Sequence, residues 1–115
     1  MGTGGTFYWD NQCFIGPIAV TALKSINANI ALMGTSGLSI KNGMTNRKIE
    51  EAVVKRAMIE AAARRVLLMD SSKMNCHTLA TVGPVEMIDI FVTDDGLSPE
   101  DRKAIEDQGV EVVIV

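Results

Sequence analysis

Aromatic, histidine and cysteine residues are scarce in this chain of 115 residues. Aromatic residues make up 4% of the sequence, so Ala, Val, Ile and Met must fill most of the core, as is common where helices pack on a parallel sheet. One histidine and two distant cysteines, Cys13 and Cys76, are too few for a Cys/His zinc site. The two cysteines indicate reduced thiols and a cytoplasmic location. We expect neither a metal ion nor a cofactor.

Long apolar runs and familiar catalytic signatures are also absent. No stretch of 18 apolar residues occurs, which argues against a transmembrane helix, and the N-terminus lacks the layout of a signal peptide. The sequence has no Walker A motif and no Gly-x-Ser-x-Gly elbow, which disfavours a P-loop nucleotide hydrolase and a serine hydrolase. A net charge of −3 argues against binding of a nucleic-acid backbone by residues 1–115, because such contacts need a stripe of basic residues.

Apolar runs alternate with helical patterns along the chain, which is typical of a single α/β domain with a mostly parallel open sheet and helices on both faces. The patterns predict helices over residues 17–27 and 45–65 and from Pro99 onward. They predict strands over residues 29–33, 66–69, 90–92 and 110–115. The remaining stretches are interpreted as turns over residues 38–45 and as irregular structure over residues 71–88, with a short strand near residues 78–82 and a helical turn after Pro84.

Local signals refine two of these helices. Ser98 is the expected N-cap of the last helix, with Asp101 closing a capping box and Gly109 ending the helix. Thr45 is the expected cap of the long helix. The charges of that helix are spaced to pair one turn apart, Glu51 with Lys55 and Arg56 with Glu60.

Four loops with small or charged residues are expected to follow strands, and ligands bind open α/β sheets at that edge. The loops are Thr3-Gly4-Gly5-Thr6, Gly34-Thr35-Ser36-Gly37, Asp70-Ser71-Ser72-Lys73 and Thr93-Asp94-Asp95. No strand precedes the first of these loops. We therefore expect that the natural chain is longer and that the fold of residues 1–115 is incomplete at its N-terminus. Missing upstream strands would leave an apolar sheet edge or face uncovered, and this favours self-association.

The chemistry of these loops predicts a pocket for a small phosphorylated polyol. Glycines let main-chain N–H groups approach an anion, hydroxyl groups donate to phosphate or sugar oxygens, and Lys73 supplies a positive charge. Asp70 and Asp94 can accept hydrogen bonds from sugar hydroxyls. Each feature alone is commonly only a turn or a surface charge, and their concentration at one edge carries the prediction. The predicted ligand-binding residues are Gly4, Gly5, Gly34, Thr35, Ser36, Gly37, Asp70, Ser71, Lys73 and Asp94.

A fixed series of motifs resembles the C-terminal sensor domain of DeoR-type bacterial transcriptional regulators. The series spans nearly the whole chain, and its helix at residues 52–58 and its turn at residues 70–73 are together quite specific. It consists of Gly4-Gly5, Gly34-Thr35-Ser36-Gly37-Leu38, Met44-Thr45, Glu51-Ala52-Val53-Val54-Lys55-Arg56-Ala57-Met58, Asp70-Ser71-Ser72-Lys73 and Thr93-Asp94.

This resemblance implies a fold similar to that of ribose-5-phosphate isomerases and CoA transferases. It also implies a regulator, usually a repressor, that senses a sugar phosphate or related metabolite and commonly forms homo-oligomers. Operator DNA would be bound by an N-terminal winged helix-turn-helix, which residues 1–115 lack, as they lack the first part of the sensor domain. The pocket is therefore expected to be incomplete.

A sugar isomerase is the alternative reading, because the isomerases share the fold and a similar Asp-x-Ser-Lys turn. Isomerisation needs a general base near the reacting carbon, and the isomerases carry an acidic cluster after an early strand. The corresponding loop here, Gly34-Thr35-Ser36-Gly37, has no carboxylate. Glu51 is the best remaining base, yet pairing with Lys55 would give it a sufficient structural role. We therefore expect a sensor and not an enzyme.

Overall fold

The computed structural model describes residues 1–115 and contains nine strands and three α-helices. The strands are β1 (Thr6–Tyr8), β2 (Cys13–Ile15), β3 (Ala28–Met33), β4 (Gly37–Ser39), β5 (Gly43–Asn46), β6 (Ala62–Leu68), β7 (Ala80–Gly83), β8 (Ile90–Thr93) and β9 (Glu111–Ile114). The helices are α1 (Pro17–Lys24), α2 (Ile49–Ala61) and α3 (Pro99–Glu106). Two short 3₁₀ turns cover Ser71–Lys73 and Val85–Met87. None of the helices has the length and apolar character needed to cross a bilayer.

A four-stranded parallel sheet organises the fold, in the order β3-β6-β8-β9. Each of its strands is reached from the one before by a crossover, and α2 and α3 lie in the first and last of these connections. Parallel pairing brings the carboxyl ends of all four strands to one edge. The α/β prediction with a mostly parallel open sheet is confirmed, as are strands near residues 29–33, 66–69, 90–92 and 110–115.

The hydrophobic core lies on one face of this sheet. Met33, Leu67, Phe91 and Val112 stand side by side in the strand register and are buried. They belong to one core cluster that also includes residues from α2, α3 and β7. On the opposite face, Leu32 is 62%, Leu68 46% and Val113 37% exposed. The sheet therefore has the uncovered apolar face expected from the sequence.

An antiparallel three-stranded sheet, in the order β4-β5-β7, packs beside the core. The prediction of turns over residues 38–45 is wrong for most of that stretch, because β4 and β5 pair there. Thr45 is a residue of β5, 2% exposed, and not a helix cap; its hydroxyl accepts a hydrogen bond from the Thr78 amide at 3.0 Å. Sheet pairing and burial override local helix propensity at this position.

The long helix is correspondingly shorter than predicted. It begins at Ile49, after Lys48, whose side chain makes no capping hydrogen bond, and it ends at Ala61. Residues 62–65 belong to β6, paired with β3. The first helix likewise ends at Lys24 and not at residue 27. The long helix was predicted to extend too far because Ala and Arg are compatible with both helix and strand.

The last helix forms much as predicted. The Ser98 hydroxyl accepts a hydrogen bond from the Asp101 amide at 3.1 Å, and Gly109 has a positive φ of 85°, as expected of a residue that ends a helix. The Asp101 carboxylate does not close the capping box; it accepts a hydrogen bond from the Asn75 amide at 3.0 Å. The irregular stretch of residues 71–88 contains β7 at Ala80–Gly83, close to the strand predicted near residues 78–82, and a 3₁₀ turn after Pro84.

A small hairpin of β1 and β2 was not predicted. It forms a separate two-stranded antiparallel sheet with Thr6 opposite Ile15. Phe7 contacts Trp9 and Phe14 edge to face, with ring centroids 4.7 and 5.4 Å apart. Strands of three residues leave too little alternation for a sequence pattern to reveal them.

Candidate ligand-binding cleft

Three of the four predicted loops meet at the carboxyl edge of the parallel sheet. Gly34 follows β3, Asp70 follows β6 and Asp94 follows β8. The last two loops are joined directly, because the Asp94 carboxylate accepts a hydrogen bond from the Ser71 amide at 2.9 Å. The fourth loop, around Gly4 and Gly5, precedes β1 and follows no strand within these residues.

A cleft of about 780 Å³ opens beside the loops that follow β3 and β6. Its polar lining comes from the β1–β2 hairpin, the β3–β4 loop, the start of α2 and the 3₁₀ turn after β6. The lining residues are Tyr8, Asp10, Asn11, Gly34, Thr35, Ser36, Asn46, Arg47, Lys48, Glu51, Lys55, Ser72, Lys73, Cys76 and Thr78. Four of them are cations and two are acids, so the cleft is cationic although the chain as a whole is acidic.

None of the four cations at the cleft forms an ion pair. The salt bridges of the structure join Arg56 to Glu60 and Arg102 to Glu106, and neither involves Arg47 or Lys73. Unpaired cations that converge on a cleft raise the local concentration of anions there and favour their binding.

The first turn of α2 adds to this positive character. No side chain caps the helix N-terminus, so amide N–H groups of its first turn lack a side-chain acceptor. Arg47, Lys48 and Glu51, at this end of the helix, line the cleft. Lys48 lies over the Tyr8 ring, with its Nζ 3.8 Å from the ring centroid. Free amide groups and the helix dipole together favour an anion at a helix N-terminus.

Lys55 lies deeper in the same cleft. Its Nζ donates to the Gly34 carbonyl and to Asn46 Oδ1, the latter at 3.3 Å. Burial lowers the pKa of Lys55 below the usual lysine range, and the charge of nearby Lys73 lowers it further, while Glu51 opposes the shift. Lys55 is therefore a cation with a fixed position, held on the loop that follows β3.

Glu51 does not form the predicted ion pair with Lys55. Its carboxylate is 4% exposed and accepts hydrogen bonds from two amides, Asn46 Nδ2 at 3.0 Å and Asn11 Nδ2. The carboxylate turns toward these amides because a buried charge needs hydrogen-bond donors. The other predicted pair, Arg56 with Glu60, is confirmed at 3.0 Å on the exposed side of the helix.

The structure brings four of the predicted site residues into the cleft lining, namely Gly34, Thr35, Ser36 and Lys73. Thr35 is buried, and its hydroxyl donates to the Gly37 carbonyl at 3.2 Å. Ser72 also lines the cleft, although it was not among the predicted ligand contacts.

Asp70, Ser71 and Asp94 lie outside the lining and shape the loops. Asp70 accepts a hydrogen bond from the Ser72 amide at 3.0 Å, and Asp94 accepts one from the Ser71 hydroxyl at 2.5 Å. Donation by these serine hydroxyls and amides lowers the pKa of both carboxyl groups below the usual aspartate range. Their geometry accounts for a role in shaping the turn of Ser71–Lys73. Direct contact of these residues with a ligand stays a prediction.

The remaining predicted glycines allow close approach of backbone segments. Gly5 has a φ of +108°, and a Cβ added there would lie 2.8 Å from the Ile15 carbonyl oxygen. A Cβ on Gly37, in β4, would collide with the Cys76 carbonyl. Gly4, which also has positive φ, and Gly5 do not line the cleft. Contact of these glycines with a ligand stays a prediction.

Sequence reasoning missed the hairpin and helix-start residues of the cleft. Tyr8, Asp10 and Asn11 are far from the other lining residues in sequence, and no local pattern connects them. A signal did exist in Arg47-Lys48, two adjacent cations directly before a helix. Thr78 was also missed; its hydroxyl oxygen is buried without a hydrogen-bond partner in the protein. No group of three His, Cys, Asp or Glu side chains is arranged to hold a metal ion.

Comparison with known proteins identifies the family. The DeoR C terminal sensor domain matches residues 1–95, so the chain belongs to the DeoR sensor-domain family. It is similar to the HTH-type transcriptional regulator GlpR of Haloferax volcanii, with 35% identity over 111 residues, 96% of this chain and 44% of the relative. It is also similar to the transcriptional repressor AccR of Agrobacterium fabrum, with 28% identity over 95 residues, 81% of this chain and 36% of the relative.

A further relative is the L-fucose operon activator of Haemophilus influenzae, with 27% identity over 112 residues, 97% of this chain and 45% of the relative. The chain thus spans less than half the length of each of these relatives. All three relatives are named as regulators of transcription or of an operon.

Proposed function

We propose that the cleft binds a sugar phosphate or related phosphorylated metabolite and that this chain is the effector-sensing part of a DeoR-type transcriptional regulator. One observation carries the proposal: Arg47 and Lys73, both without ion pairs, lie on a cleft that also contains the uncapped start of α2. A phosphate dianion would complement all three features.

Hydroxyl and amide groups in the rest of the cleft suit the sugar. The Ser36 hydroxyl lines it without a protein partner for its side chain, and the buried Thr78 hydroxyl also lacks one. Thr35 and Asn46 line it too, with side chains already hydrogen-bonded within the protein. Buried polar groups are normally paired with protein, water or ligand. A cleft of about 780 Å³ lies within the size range of small-molecule sites.

In the full-length regulator, an N-terminal helix-turn-helix would bind operator DNA, and occupancy of the cleft would change that binding. The relatives include a protein named as a repressor and one named as an activator, so the direction of the response is a property of each regulator. We further propose a homo-oligomer in the cytoplasm, where Cys13 and Cys76, both free thiols, would stay reduced.

No observation favours the isomerase alternative. The Gly34–Gly37 loop contains no carboxylate, and Glu51, the remaining candidate base, already accepts hydrogen bonds through both oxygens. A general base must reach the proton that it removes, and this carboxylate is instead committed to two amides. The arrangement supports binding without turnover.

Thermal unfolding in the presence of a compound panel tests the proposal. The panel should pair each phosphorylated sugar or polyol with its unphosphorylated form and include inorganic phosphate. A ligand present at about 100 times its Kd stabilises the folded state by about 2.7 kcal/mol. We expect a rise in Tm with at least one phosphorylated compound and a smaller rise with its partner. The absence of any rise, or equal rises within every pair, would contradict phosphate recognition.

A further inference from the structure

Glu51 lies between two cavities that differ in character. On one side is the polar cleft; on the other is a smaller cavity of about 350 Å³ beneath the β1–β2 hairpin. Phe14, Ile15, Val54 and Met58 supply most of the apolar lining of this second cavity. Asn11, Glu51 and Lys55 line both cavities, so these three residues form the partition between them.

The two amides bound to Glu51 differ in how firmly they are held. Asn46, at the end of the central strand β5, is 2% exposed and is paired with Ala80 of β7. Asn11 is exposed and sits in the turn of a two-stranded hairpin that pairs with no other strand. Isolated two-stranded hairpins are marginally stable, so Asn11 is the partner that can exchange.

The underside of the hairpin leaves room for such a change. The cavity beneath it means that β2 is not closely packed on α2 over this area. Three contacts attach the hairpin to the cleft: Asn11 and the Cys13 thiol donate to Glu51 Oε1, the thiol at 3.9 Å, and Tyr8 contacts Lys48. All three contacts end on residues that line the cleft, so a ligand there would compete with the attachments of the hairpin.

Building on the proposed function, we propose that Glu51 recognises a hydroxyl group of the ligand, which replaces Asn11 on the carboxylate and thereby transmits occupancy of the cleft to the β1–β2 hairpin. A hydroxyl donates to a carboxylate as an amide does, so the buried charge keeps its hydrogen bonds throughout the exchange. Asn46 keeps the carboxylate in place while Asn11 leaves. Glu51 thus acts as a specificity-determining residue for polyhydroxylated phosphates.

Calorimetric titration of the chain with three probes tests the role of Glu51. The probes are fructose 6-phosphate, methyl phosphate, which has no hydroxyl-bearing carbon skeleton, and inorganic phosphate. Glu51→Gln keeps the shape of the side chain and removes its charge. We expect about tenfold weaker binding of fructose 6-phosphate and a less than about twofold change for the other two probes.

The outcomes separate this inference from the proposed function. Equal losses for all three probes, or no loss for the sugar phosphate, would overturn the role of Glu51 while leaving phosphate binding intact. Failure of the unaltered chain to bind any of the three would overturn both.

Asn11→Ala provides a second test, which does not require the protein to fold with Glu51 replaced. Because a competitor is removed, we expect fructose 6-phosphate to bind several-fold more tightly. We also expect the hairpin amides to exchange hydrogen faster in the unliganded variant, and Trp9, the single tryptophan of the chain, to report the change by fluorescence. Asn42→Ala, at a turn where the side chain makes no hydrogen bond, is the control. Weaker binding of fructose 6-phosphate to Asn11→Ala would overturn the proposed replacement of Asn11 by the ligand. Protection of the hairpin amides from hydrogen exchange that neither the ligand nor the variant changes would also overturn it.

Discussion

Replacement of Leu67 by alanine should destabilise the chain severely. Leu67 is fully buried at the centre of the parallel sheet, in register between Met33 and Phe91, so the surrounding strands have little freedom to fill the space left behind. Leucine-to-alanine changes at such sites cost about 3–5 kcal/mol, which is a large share of the stability of a domain of this size. We expect a fall in Tm of about 10–20 °C.

Leu68→Ala is the matched control, one residue along the same strand and on the opposite face. Leu68 is 46% exposed, so its truncation should cost only about 1 kcal/mol. Urea unfolding followed by circular dichroism measures the free energy of unfolding of both variants. If the slope of that free energy against urea concentration is unchanged, the unfolded states are comparable. Similar losses for the two variants would refute the assignment of the core to one face of the sheet.

Three further predictions concern charge and the open face of the sheet. Burial and the charge of Lys73 lower the pKa of Lys55, so affinity for a phosphorylated ligand should begin to fall at a pH below the usual lysine pKa of about 10.4. Lys55→Arg should move that fall to higher pH. Identical pH profiles of affinity for the two chains by calorimetry would contradict the role of Lys55. The pKa of Asp94 is lower folded than unfolded, so its contribution to stability is complete above the unfolded value of about 3.9 and is lost as pH falls through the folded value. Asp94→Asn should therefore reduce the loss of Tm as pH falls into the acid range, whereas Asp95→Asn, at an exposed position, should not. If the two variants gave matching profiles of Tm against pH, the hydrogen bonds between Asp94 and Ser71 would not be supported. Leu32→Glu, on edge strand β3 of the exposed apolar face, should reduce self-association in sedimentation experiments. An unchanged distribution of species would exclude this face as the contact.

Some parts of the fold were predictable because the responsible signals are local. The Ser98 cap and the Gly109 ending lie within the helix that they delimit, and the apolar runs that became β3, β6 and β8 are continuous along the chain. The antiparallel sheet was not predictable in this way. Thr45 is a strand residue because it pairs with Gly37 of β4 and with Thr81 of β7, the latter more than 30 residues later in the chain.

The same distinction applies to the cleft. Gly34, Thr35, Ser36 and Lys73 were predicted because residues after parallel strands meet at one edge whatever their separation in sequence. Asn11 was not, because it reaches Glu51 across 40 residues through a hairpin with no sequence signature. Asp70 and Asp94 were assigned to the ligand from their residue type, whereas in the structure their carboxylates accept hydrogen bonds from serines of the neighbouring turn.

Phosphate recognition by Lys73 is tested most directly by calorimetric titration of the unaltered chain, Lys73→Ala and Lys103→Ala, the last a control on the exposed side of α3. Each would be titrated with the phosphorylated compound that gives the largest rise in Tm and with its unphosphorylated form. Loss of a charge-assisted contact should weaken phosphorylated-ligand binding to Lys73→Ala about 10- to 100-fold and leave the free sugar unchanged. Equal losses for the two compounds, or a loss as large in Lys103→Ala, would contradict a phosphate site at this cleft.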